Sequence, residues 1–221
     1  MTKIILGKDK TETLKHATIL SAYLLVIWGL YRFLFKLPDE IEEVIIKPIL
    51  WLVPTFYLVR MEGLGISSLG ITLKKIFPTI YLSIGLGILF LVEALLINYS
   101  KYGNFSFSAN IGQKTFLVSL ALSLATAISE EVTFRGYIFT RVWNALGSEW
   151  ISNFLTTAVW TLMHVPVTFF VLKLDMSSGL IYLFLTTIFG LGSAFIFART
   201  KNITSSILLH VLWEWPIILF R

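Results

Sequence analysis

The sequence predicts an all-α fold, a polytopic transmembrane bundle of about seven helices, with six to eight as the bounds. Three observations predict it. Of 221 residues, 56% are hydrophobic and only 14% charged, and the mean hydropathy of +0.80 lies outside the range of soluble domains. The apolar residues fall in repeated runs close to the length that crosses a bilayer. In lipid a backbone must satisfy its own hydrogen bonds, so these runs are helices.

Taken in order, spans are expected at 17–37, 44–60, 78–99, 114–139, 151–172, 179–199 and 203–220. The first follows Lys3, Lys8, Lys10 and Lys15. Its length, the lack of a small-x-small cleavage site and the spans that follow make it a retained helix rather than a signal peptide. The second is the weakest, interrupted by Lys47, Pro48 and Pro54, and is expected to be kinked or partly re-entrant. Turn and charge signals separate the rest: Pro38 to Glu43, Gly63 to Lys75, Lys101 to Gly112, Asn144 to Glu149, Asp175 to Gly179, and Lys201 with Asn202. Trp143 and Trp150 bracket one connection, as headgroup-level rings or as packing residues. No repeat or long linker divides the chain. The expectation is one membrane domain over 1–221, with N-terminal spans over 1–112 and a core over 113–216 that carries the chemistry.

The formal net charge is +5, but the basic residues are scattered and form no stripe with interleaved aromatics, so no nucleic-acid partner is expected. Membrane lipid is the expected surrounding. The larger share of Lys and Arg falls in the N-terminal segment and the even-numbered connections, which favours a cytoplasmic N-terminus. There are no cysteines, which excludes disulfides, thiolate metal ligands and a cysteine nucleophile.

Ionisable groups at membrane depth are costly and mark function by default. They concentrate in the second half. The fourth span is apolar from Phe116 to Ile128, then reads Ser129-Glu130-Glu131-Val132-Thr133-Phe134-Arg135. Glu131 and Arg135, four apart, can pair on one helix face, while Glu130 is rotated by about 100° and can point elsewhere, free to bind water or a metal. The same residues also fit a charged patch at a membrane boundary. His164 lies within the fifth span, and the seventh carries His210 with Glu214 one turn later. Convergence of these groups on one polar cavity is cheaper than lipid exposure of each. His16, among the N-terminal lysines, reads as a surface residue, and Glu93 as a carboxylate reaching the interface or a hydroxyl. Gly190, Gly192, Ser193 and Ala194 form a small-residue packing face, read as scaffold.

These residues resemble the CAAX-protease and bacteriocin-processing family of intramembrane proteases, which includes the type II CAAX prenyl endopeptidases. Glu130, Glu131 and Arg135 match its Glu-Glu-x-x-x-Arg motif. Trp160 with His164 is similar to an aromatic followed four residues later by histidine, where phenylalanine is more frequent. His210 with Glu214 is similar to a histidine followed by Asn or Asp. The ordered set spans roughly 115–215.

The resemblance implies a membrane endopeptidase acting on a membrane-associated peptide, a prenylated CAAX tail or a bacteriocin-type precursor; bacteriocin immunity would use the same fold. It implies that Glu130 is the general base, that His164 holds the same water, that Glu131 and Arg135 orient Glu130, and that His210 stabilises the oxyanion. Glu214 departs from the pattern, because an ionised glutamate cannot donate to an oxyanion. Either Glu214 is neutral, or His164, His210 and one or more of Glu130 and Glu214 bind a divalent metal such as zinc. Two other readings stand beside the protease. One is a transporter or cation conduit, which would show inverted repeats and broken helices; the other is a catalytically silent scaffold of the same family.

Overall fold

The computed structural model describes the backbone of residues 9–105 and 115–220 and the side chains of 9–100, 103–105 and 115–214. Seven helices follow one another: α1 (Lys10–Leu34), α2 (Asp39–Met61), α3 (Ile76–Tyr102), α4 (Phe116–Leu146), α5 (Glu149–Val171), α6 (Met176–Thr200) and α7 (Ile203–Phe220). The first six are long and apolar enough to cross a membrane, and the described apolar stretch of α7 is Ile203–Glu214. A single 3₁₀ turn, Ile66–Leu69, lies in the connection before α3, and there is no strand among the described residues. The chain is an all-α integral membrane protein.

The first two helices differ from the expectation at their ends. α1 begins at Lys10, seven residues before the predicted start, because the Asp9 carboxylate accepts the Thr11 amide (2.9 Å) and caps it. It stops at Leu34, where Phe35 turns extended ahead of Pro38. α2 is helical throughout, long enough to span, and it begins at Asp39, inside the predicted connection. A proline ring clashes with the carbonyl four residues back; a widened π-type turn over Glu42–Ile46 precedes Pro48 and gives it room.

α4 is the axis of the bundle. Every residue from Ser129 to Trp143 is buried, so this helix is enclosed on all sides by the others. α7 packs on α3 and α4, α5 on α6, and α1 on α4 and α5. A helix so enclosed can carry charge only if its neighbours supply partners, and it does so at two depths. At the deeper end in sequence, the Arg141 side chain donates to Glu62 Oε2 from both Nε (3.0 Å) and a terminal nitrogen (2.8 Å), and to the Ser68 carbonyl (3.1 Å). The Tyr137 hydroxyl donates to the other Glu62 oxygen (2.6 Å). This clamp ties α2, the Ile66–Leu69 turn and α4 together.

His16 belongs to the same clamp. It is buried, with Nδ1 3.4 Å from Glu62 Oε1, and is not the surface residue expected from the lysines around it; the first turns of α1 are part of the bundle. Trp143 is buried under the Lys201 ammonium, which lies 3.4 Å from its ring centroid, whereas Trp150 is 52% exposed. Trp150 alone suits a headgroup-level position.

Candidate active site

The second polar depth of α4 lies at Glu130 and Glu131, whose side chains diverge as the helical rotation requires. Glu131 is wholly buried and fully engaged. Its Oε1 accepts from Arg135 (3.0 Å) and from His210 Nδ1 (2.8 Å), and its Oε2 accepts from the Ser193 hydroxyl (2.7 Å). Arg135 in turn donates to the Gly190 carbonyl (3.2 Å) and lies over the Trp160 ring, 4.4 Å from its centroid. Gly190 is what lets α6 come this near: a Cβ there would stand 2.8 Å from Thr157 Cγ2 and 3.3 Å from the Arg135 guanidinium. The small-residue face of α6 is therefore more than scaffold, since Ser193 and Gly190 supply partners to the charged pair.

Glu130 faces the other way, into a cavity of about 310 Å³. The cavity is also lined by His164 of α5 and by His210 and Glu214 of α7. Along α4 it extends from Ser119 to Glu130, a depth of about 16 Å at the helical rise. At its outer end stand Arg32, Asp39 and Leu172, so it reaches the face that carries the α1–α2 and α5–α6 connections, opposite the face where α1 begins.

Both imidazoles are fixed through Nδ1. A carbonyl can only accept, so His164 donates Nδ1–H to Trp160 O (2.8 Å), which leaves Nε2 for the cavity. His210 likewise donates Nδ1–H to Glu131 and presents Nε2 toward Glu214 Oε2 at 3.8 Å, too far for a hydrogen bond. Glu214 Oε2 is buried and has no hydrogen-bond partner among the described residues.

The six residues singled out in the sequence thus fall into two groups. Glu130, His164, His210 and Glu214 share the cavity wall, while Glu131 and Arg135 stand behind it and hold His210. Glu131 is hydrogen-bonded to the histidine of α7, and Arg135 to Glu131. Glu130 is not free, as the sequence suggested; its Oε1 accepts from Lys47 Nζ (2.7 Å). Lys47 is 3% exposed, is ion-paired also with Glu43, and has the Trp28 and Trp51 rings beside it. The Thr126 hydroxyl donates to Glu43 (2.6 Å). In the sequence, Lys47 reads as an interruption of a weak span and Glu43 as the end of the connection before it. Their signal was the one used for Glu130, an ionisable pair within an apolar segment.

Three widened π-type turns adjoin the site: Glu42–Ile46 just before Lys47, Val132–Phe139 just after Glu131, and Val167–Val171 shortly after His164. Such turns recur at functional sites because they re-aim side chains along a helix. No three His, Asp or Glu side chains among the described residues stand close enough together to hold a metal ion, and Glu130 already carries an ammonium.

The bundle thus brings carboxylates and imidazoles from three helices to one cavity. Residues 112–216 match the family model of the type II CAAX prenyl endopeptidase Rce1-like proteins. The matched segment is thus similar to the CAAX-protease-like membrane endopeptidases, and all six residues named from the sequence lie within it. No curated protein and no solved structure matches the chain.

Proposed function

We propose that the protein is an intramembrane endopeptidase that hydrolyses a peptide bond in a membrane-associated substrate, using water activated by Glu130 and His164. The observation that carries this reading is the convergence of Glu130, His164 and His210, from three helices, on one cavity. A water between the free Glu130 oxygen and His164 Nε2 loses its proton to Glu130 as it attacks the peptide carbonyl. His210 in its doubly protonated form donates from Nε2 to the oxyanion, while its Nδ1–H stays on Glu131. Collapse of the tetrahedral intermediate breaks the C–N bond, and the Glu130 carboxylic acid returns its proton to the leaving amine. Atoms balance with water alone, and no acyl-enzyme forms.

The proposed substrates are a prenylated CAAX tail or a small bacteriocin-type precursor. The proposed location is the plasma membrane of a prokaryote; a cytoplasmic N-terminus, which the charge bias favours, suits the precursor, and the opposite orientation suits the prenylated tail. Detergent-purified protein assayed over a panel of prenylated and unmodified peptides tests the reading: cleavage of one class is expected, and inactivity over the whole panel contradicts it.

A further inference from the structure

We propose that Lys47 is a positioning residue for Glu130, an inference that rests on the hydrolytic reading of the site. It lies in α2, outside the segment that matches the family. The two adjacent glutamates of α4 differ in support: Glu131 has three side-chain donors, from Arg135, His210 and Ser193, whereas among the described residues Glu130 has one, the Lys47 ammonium. Glu130 and Lys47 both line the cavity, and by holding Oε1 Lys47 limits the directions in which Oε2 can face it.

The ammonium is itself held. Trp28 and Trp51 stand beside it, with centroids at 5.3 and 5.9 Å, and Glu43, anchored by Thr126, takes part of its charge. One cation therefore serves two carboxylates, Glu43 and Glu130. The sealed Arg141–Glu62 pair is a useful contrast: both side chains are wholly buried, and neither lines the cavity.

The test uses purified full-length protein with a peptide it cleaves, and compares wild type with Glu130→Gln, Lys47→Met and Lys47→Ala. The expected result is a fall in kcat of about 10²-fold in both Lys47 variants, the scale of a misplaced catalytic group, with KM little changed. Ethylammonium should restore part of kcat to Lys47→Ala, where it has room, and nothing to Glu130→Gln. Wild-type kcat in Lys47→Met overturns the positioning role alone, as does folded Lys47→Ala that ethylammonium fails to restore. Cleavage retained in Glu130→Gln overturns the hydrolytic reading itself. Should wild type cleave nothing, thermal unfolding of the Lys47→Met, Glu130→Gln and double variants decides: additive effects overturn the pairing, and non-additive effects support it.

Discussion

Glu130 and Glu131 are neighbours in sequence with opposite surroundings, and the difference follows from the helical rotation between them. Glu131 points to α6 and α7 and finds three donors; Glu130 points to the cavity and finds Lys47. Glu214 is another carboxylate of the wall, with a buried oxygen that has no partner among the described residues and stands 3.8 Å from His210 Nε2. An asparagine there could donate to an oxyanion where an ionised glutamate cannot. Glu214→Asn is therefore expected to keep or raise the cleavage rate, measured as kcat on the same peptide. A fall to the level of Glu130→Gln would instead place Glu214 in the catalytic machinery.

At the scale of elements, the site depends on how near α6 comes to α4 and α5. Gly190→Ala would put a methyl group 2.8 Å from Thr157 Cγ2 and 3.3 Å from both Arg135 and Trp160. Overpacking of this kind costs about 1–3 kcal/mol, and here the strain falls on the arginine that supports Glu131 and, through it, His210. A lowered melting temperature in detergent together with a lower kcat is expected; unchanged values for both would show that α6 yields freely. The spans themselves were legible, because a run of apolar residues of bilayer length admits little else. The ends of α1 and α2 were not, since Asp9 acts as a cap through a side-chain geometry that hydropathy ignores, and Asp39 to Glu43 read as a connection although Glu42 is buried against Arg32. The motif residues of the second half could be named because they recur in an ordered pattern. Lys47 carried the signal of an ionisable group within an apolar segment, but its partner Glu130 lies 83 residues away, so the pairing itself was not legible. His16 was misplaced for the same reason, its partner Glu62 being 46 residues distant.

The molecule as a whole places its two polar depths toward opposite faces: the Glu62–Arg141 clamp near the face where α1 begins, and the cavity toward the other. This makes orientation decisive for substrate. A tail prenylated in the cytoplasm reaches Glu130 from the cavity face only if that face is cytoplasmic, whereas a cytoplasmic N-terminus turns the cavity outward, toward exported peptides. The absence of cysteine from the sequence makes the question accessible. Single cysteines at Asp39 and at Leu172 should be labelled by an impermeant thiol reagent from one side of the membrane, and a cysteine at Gly147 from the other. Labelling of all three from the same side would contradict the alternation of helices described above.

The central claim is that Glu130 and His164 activate water for peptide hydrolysis. Its most direct measurement is cleavage by purified, detergent-solubilised protein beside Glu130→Gln and His164→Ala, each with and without a chelator. Loss of a general base lowers rates by about 10²- to 10⁴-fold, so both variants should fall by that much, and the wild type should be indifferent to the chelator. Equal cleavage by all three proteins would contradict the assignment of the site, and a wild-type rate abolished by the chelator would contradict hydrolysis by carboxylate and imidazole alone.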